Sequence, residues 1–216
     1  SIDVRGNKIK TRDLSQQLDV LISSDPNKPF GEIDNSIAAF ETGNFSTSHS
    51  MIGTAFTSGD ALFQKMRAYR TTISNRLSRE NPALSTFNPT AFGENSQQVL
   101  LPAFMAAYSG KNPDKVSTSL FRDIPIPNWT LRYNGFMKMK WFKKNFSNFV
   151  VSHGYRSSYT ISSFTNNLSY NNIDLTQPLV GNNVPAINST GNFEPQLLVA
   201  SATLVDEFSP LVKVDM

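Results

Sequence analysis

FVVSHGYRSSYTIS, residues 149–162, carries the reading of this chain. Taken every second residue it yields Phe149, Val151, His153, Tyr155, Ser157, Tyr159 and Ile161, a set that is mostly aromatic and apolar. The interleaved set is Val150, Ser152, Gly154, Arg156, Ser158, Thr160 and Ser162, mostly small, hydroxylated or cationic. A period of two is the mark of a β-strand, because successive side chains leave a pleated backbone on opposite faces. Soluble strands usually run to about five or six residues. This alternation outlasts even the roughly 9–11 residues that a tilted strand needs to cross a bilayer.

Composition agrees with strands that have one apolar and one wet face. Only 39% of the 216 residues are hydrophobic, while Ser, Thr and Asn supply more than a quarter. The apolar share leans on 16 Phe, with 6 Tyr and 2 Trp. Such a composition also suits a soluble or surface-exposed β-rich module that binds glycans or proteins. In that reading Trp129, Tyr133 and Tyr155 would serve as stacking platforms. Cysteine is absent, which excludes disulfides and thiolate metal sites. No window approaches the roughly 18 apolar residues of a membrane-spanning helix. The chain starts SIDVRG and stops within the alternating run LVKVDM, so both ends read as cuts inside something longer.

Outward from 149–162 the strand pattern recurs. PIPNWTLRYNGF alternates Trp129, Leu131 and Tyr133 with Thr130, Arg132 and Asn134. KMKWFKKNF (138–146) predicts a short basic connection containing about one helical turn, within a turn spanning 137–147. The segment 171–194 reads as a long Asn-rich loop. In LLVASATLVDEFSPLVKVDM the spacing puts Leu198, Ala200, Ala202, Leu204, Phe208, Val212 and Val214 on one face. Nearer the amino end, QQLDVLISS (16–24) predicts a strand before the turn-forming DPNKPFGEIDN, and 41–57 predicts another.

Between them the period changes. Leu62, Met66, Tyr69, Ile73 and Leu77 recur at three and four, one stripe of an α-helix over 58–80. Ser58 is its predicted N-cap, Asp60 suits the positive end of its dipole and Asn81-Pro82 its stop. A second, shorter helix is predicted over 97–109, with Ser96 as cap, Gly110 as terminator and its regular part beginning near Leu101 because of Pro102. The organisation is therefore barrel strands with a connecting loop over 1–57, a helix-containing extramembrane loop over 58–124, and barrel strands over 125–216. The fold class is mainly β, a segment of a very large transmembrane antiparallel β-barrel with a loop insertion holding two short helices.

No catalytic constellation is legible. His49 and His153 stand far apart without neighbouring carboxylates in a ligand-like motif, and Asp206 and Glu207, as neighbours on a strand, point to opposite faces. No phosphate-cradling glycine loop, nucleophile elbow or H-E-x-x-H is present. The expectation is no enzyme, no cofactor and no metal. The net charge of +3 is too mild and too scattered for a nucleic-acid surface.

Five runs resemble a known family in order. ETGNFSTSHSMIGTAF, SQQVLLPAFMAAYSGK, IPIPNWTLRYNGF, FVVSHGYRSSYTISSF and FSPLVKVDM are similar to the carboxy-terminal part of the SprA/Sov family, the giant outer-membrane translocons of type IX secretion in Bacteroidetes. SHGYRSSY and PAFMAAYSGK are the most specific of these matches. The resemblance implies one slice of a large single-chain barrel that exports folded cargo proteins, adhesins of gliding motility among them. It also implies a PorV-like shuttle barrel and a periplasmic plug protein as partners, with outer-membrane lipid around the wall. On this basis Phe149, Val151, Tyr155, Tyr159 and Ile161 are expected to face lipid or a partner barrel, and Ser152, Arg156, Ser158 and Thr160 to line a water-filled lumen. His153 falls on the apolar side of that division.

Overall fold

The computed structural model describes residues 2–5, 8–15, 40–122 and 124–216. The strand expected at 16–24 and the turn after it lie outside the described residues. Seven strands form one antiparallel sheet: β1 (Ile2–Arg5), β2 (Lys8–Ser15), β3 (Phe40–Thr47), β4 (Asn128–Tyr133), β5 (Val150–Asn166), β6 (Leu197–Phe208) and β7 (Lys213–Asp215).

The seven strands make four rows. β5 is 17 residues long, about 55 Å at the rise of an extended chain. One of its edges carries β4 against Val151–Tyr155 and β3 against Tyr159–Thr165, end to end and both antiparallel to it. Outside these, β1 pairs with β4 and β2 with β3, so residues 2–15 act as one interrupted row. The other edge carries β6 and then β7. The row formed by β3 and β4 is thus a single strand opened at its middle, and residues 48–127 are inserted into the opening.

The opening is sealed by polar groups at its rim. The Ser157 amide donates to Asn128 Oδ1 at 2.8 Å, and the Ser157 carbonyl accepts from the His49 amide at 3.4 Å. The Ile126 amide donates to the Ser48 carbonyl at 3.0 Å. Backbone groups that a continuous neighbour strand would pair are therefore satisfied locally, as a buried ladder requires. The strand expected over 41–57 ends at Thr47 for this reason, and residues 52–56 turn away from the sheet.

The insertion holds three helices, α1 (Gly59–Glu80), α2 (Pro82–Phe87) and α3 (Gln97–Tyr108), not two. The long helix follows the sequence closely. Ser58 Oγ accepts from the Ala61 amide at 3.3 Å, Asp60 stands in the first turn and Asn81 is the C-cap. Ser58→Ala is expected to cost about 1 kcal/mol, read as a lower midpoint in guanidinium unfolding. The predicted stripe is the buried one: Leu62, Ile73 and Leu77 are buried, and Met66 and Tyr69 pack against the core. Two details of α3 correct the sequence. It begins at Gln97 rather than near Leu101, with Pro102 inside, so only the Gln98 carbonyl loses its helical partner. Ser96 occupies the cap position, but its hydroxyl makes no cap bond. Gly110 ends the helix at φ 66°, as predicted.

Helix α3 packs against α1 and approaches β6, and together they cover part of one sheet face. The core there joins Phe45, Tyr159, Ile161 and Phe164 of the sheet to Ile73 and Leu77 of α1 and Val99, Ala103, Met105 and Ala106 of α3. Alanines on α3 let backbones approach closely, and the aromatic rings meet edge to face, Phe45 with Phe121 at 5.2 Å and Phe121 with Phe164 at 5.0 Å.

The face expected for the last segment is corrected by a bulge. Register shifts between Ile161 and Phe164, where Ser162 and Ser163 are both exposed, as are Ala200 and Ser201 opposite them. Parity flips there, so Leu197 and Val199 join Ala202 and Leu204 against the core, whereas Leu198 points away. The connection between β4 and β5 is a 3-10 turn (Gly135–Lys138) followed by α4 (Lys140–Asn145), two short helical pieces rather than one.

The long loop after β5 is built from asparagine. Asn167 Oδ1 accepts from the Ser169 amide at 3.0 Å while its Nδ2 donates to the Pro195 carbonyl at 3.0 Å. Asn183 brackets Asp174 in the same two-way manner, and Asn192 Oδ1 accepts from the Gly93 amide at 2.8 Å, tying loop to insertion. Side-chain amides thus stand in for a ladder. Among the described residues no helix is long and apolar enough to cross a membrane.

Candidate functional site: the two faces of the sheet

Cross-strand register sorts every row onto two faces. One face carries Ser152, Gly154, Arg156, Ser158 and Thr160 of β5, paired with Arg132 and Thr130 of β4, Ser46 of β3, Glu207, Val205 and Thr203 of β6, and Lys213 of β7. Asp3 of β1 joins it beside Thr130, and Asp215 of β7 beside Val150. Ile9, Val150, Leu198 and Val205 interrupt it, but the surface is otherwise polar with charges of both signs. Arg156 stands directly opposite Glu207, Lys213 pairs with Asp215 at 2.9 Å, and Ser46 Oγ and Thr160 Oγ1 share a hydrogen bond at 3.1 Å. Arg156 is exposed, while Ser152, Ser158 and Thr160 are half-buried by their neighbours.

The other face divides along its length. Towards the carboxy end of β5 it is buried under the insertion. Tyr155 and Ile161 are 0% exposed and Tyr159 is almost as closed. The Tyr155 hydroxyl accepts from the Met51 amide at 2.8 Å, and the Tyr159 hydroxyl donates to the Leu120 carbonyl at 3.3 Å. Tyr155, Tyr159 and Ile161 therefore meet this chain's own residues rather than lipid or a partner, which corrects the sequence-based assignment. Periodicity finds the apolar side of a strand but not what lies on it. The stacking-platform reading loses Tyr155 by the same burial; its ring packs on Trp129 at 4.7 Å and Phe208 at 5.2 Å.

Towards the amino end of β5 the same face is open. Val151 pairs with Tyr133 and Val214, and Leu131 with Ile2; Val4 pairs with Trp129. Val4 is 56% exposed and Ile2, Tyr133 and Val214 are exposed beside it. Together these side chains leave a band of exposed apolar surface at this end of the sheet. His153, the one polar ring here, is accounted for by the chain itself. Its Nδ1 donates to the Leu211 carbonyl at 2.6 Å, and it lies between Trp129 and Phe208.

The Leu211 carbonyl is available because β6 and β7 are one row broken by residues 209–212. Ser209 N donates to the Gly154 carbonyl at 2.9 Å and Gly154 N to the Pro210 carbonyl at 2.8 Å. A Cβ on Gly154 would stand 2.3 Å from the Ser209 carbonyl oxygen, so only glycine admits this approach.

At the lower end of the open face, the β4–β5 connection gathers Tyr133, Phe136, Phe142, Phe146 and Phe149 into a ring cluster with neighbouring centroids 4.8–6.0 Å apart. Phe149 belongs to this cluster, half-buried, and Val151 is half-buried just above it. The opposite end of the sheet carries the loop 167–196. Among the described residues the sheet does not close on itself, and the outer edges of its first and last rows are unpaired.

A buried histidine stands where the insertion begins. His49 is 2% exposed, and burial, with Lys111 and Arg122 near it, lowers its pKa to about 4. A histidine whose folded pKa lies below the ordinary value near 6.5 contributes stability that is complete above that value. That stability is lost as pH falls toward 4, because the unfolded chain takes up a proton the folded one refuses. A loss of about 2 kcal/mol is expected over this window, and His49→Phe is expected to flatten it in unfolding curves measured at successive pH values. Among the described residues no group of three or more His, Cys, Asp or Glu side chains is placed to hold a metal ion.

No protein-family model matches the chain, and no curated protein matches it.

Proposed function

We propose that this chain is a stretch of the wall of a very large outer-membrane β-barrel that conducts folded proteins, of the kind used in type IX secretion and gliding motility. The observation that carries the reading is the division of the four-row sheet into a charged, hydrated face and an opposite face that is apolar and uncovered at one end. A sheet needs such a division only if water lies on one side and something apolar on the other. The asymmetry of the connections supports it: a short aromatic, basic turn joins β4 to β5 at one end, and a long loop joins β5 to β6 at the other. The ordered resemblance of five runs to the SprA/Sov family supplies the direction.

In this reading Ser152, Arg156, Ser158 and Thr160 line the lumen through which cargo passes. The open apolar band around Val4, Leu131, Tyr133, Val151 and Val214 meets lipid or a PorV-like shuttle barrel. The helical insertion covers the upper part of the same face outside the bilayer, and a periplasmic plug would approach the lower end. Neighbouring strands of the wall would pair with the two open edges, which otherwise invite aggregation.

The test is cell fractionation with an antibody against SHGYRSSYTISSF. The expected result is a very large polypeptide released from outer membranes only by detergent. A water-soluble species near 24.0 kDa would overturn the proposal and favour a β-rich glycan- or protein-binding module.

A further inference from the structure

The turn between β4 and β5 carries a charge that no described residue offsets. Lys138, Lys140, Lys143 and Lys144 are all exposed within it, and among the described residues no carboxylate ion-pairs with any of them. Two of the three apolar side chains between these lysines are largely exposed too. Trp141 is 62% exposed although its ring edges Phe142 at 5.0 Å and Phe146 at 5.8 Å, and Met139 is exposed beside it. Four like charges interleaved with a largely exposed indole and thioether repel one another in water, and most of that apolar surface stays uncovered. From this geometry we infer that the turn docks on an anionic phospholipid surface, with Trp141 and Met139 at the headgroup level and the lysine ammonium groups on the lipid phosphates.

The chemistry fits one occupant. An indole prefers the boundary between hydrocarbon and water, long lysine side chains reach from that level to phosphate, and each ammonium near an anionic leaflet strengthens binding roughly fivefold. The position fits as well, since the turn sits where the open apolar face ends. The inference rests on the barrel reading for the orientation of that face, but its test does not.

The chain has no cysteine, so Met139→Cys accepts a single nitrobenzoxadiazole label at the turn. The labelled protein is titrated with vesicles of phosphatidylcholine and with vesicles of equal parts phosphatidylcholine and phosphatidylglycerol. Blue-shifted, brighter emission is expected with the anionic vesicles alone, abolished by high salt. Replacing the four lysines by glutamine is expected to weaken partition on the order of a hundredfold or more, while replacing them by arginine preserves it. The circular dichroism of both variants checks that the fold survives. Equal binding to neutral vesicles, binding that ignores the lysine-to-glutamine change, or no binding to either vesicle would overturn the inference. A turn indifferent to lipid charge in a polypeptide that still fractionates with outer membranes would remove this inference and leave the barrel reading standing. The reverse pair of results would do the opposite.

Discussion

Replacing Tyr155 by arginine is expected to destabilise the fold by about 4–5 kcal/mol, whereas Ser158→Arg, three residues along the same strand, is expected to cost less than about 1 kcal/mol. Tyr155 is fully enclosed, its ring packed on Trp129 and Phe208 and its hydroxyl holding the Met51 amide. Arginine there loses the ring contacts, leaves the Met51 amide unpaired and buries a charge with no partner. Ser158 lies on the polar face opposite Val205, where an arginine reaches water and can approach Glu207. Guanidinium unfolding of both variants reads the difference. Similar midpoints for the two would contradict the division of the sheet into faces.

The second large effect is expected at Gly154. Any side chain collides with the Ser209 carbonyl, and a branched one cannot turn away, so Gly154→Val is expected to cost about 3 kcal/mol. The damage should be local first. The two backbone hydrogen bonds between Gly154 and residues 209–210 hold the crossing from β6 to β7, and their loss frees Leu211 from His153. Amide exchange should therefore accelerate in residues 209–215 and 150–154 before it does around Ile161. Uniform acceleration across the sheet would show that the crossing is not the weak point.

These two neighbours, Gly154 and Tyr155, show what the sequence could and could not disclose. The alternation of 149–162 named the two faces correctly, and the stripe Leu62–Leu77 and its Ser58 cap named the long helix. Those signals are local, and local periodicity survives any tertiary context. What covers a face is not local. Tyr155, Tyr159 and Ile161 are buried by an insertion whose departure and return, Thr47 and Asn128, read as ends of two unrelated strands. Only the pairing with β5 reveals them as one row. The bulge at Ser162–Ser163 was invisible because serine suits either face, and it reversed the assignment of Leu197 and Leu198. In the loop 167–196 an Asn-rich composition signalled irregular backbone but not the reciprocal amide bonds that give it shape.

The polar face was legible because charge is costly anywhere else. Asp3, Arg132, Arg156, Glu207, Lys213 and Asp215 fall on one side of four rows drawn from distant parts of the chain, and neither local propensity nor core packing demands that agreement. Contact with water along that side does. The open apolar band beside Val4 and Val214 is the complementary demand, for a surface that excludes water.

Single cysteines test that division most directly. They would be placed in the full-length polypeptide at Thr130, Ser158 and Thr203 on the polar face and at Val4, Tyr133 and Val214 on the apolar one, then exposed in outer membranes to a water-soluble maleimide. The expected result is labelling of the first three before detergent is added, and of the second three only after membranes are dissolved or a partner is stripped away. Equal labelling of both sets in intact membranes would contradict the assignment of this sheet as a wall between water and lipid.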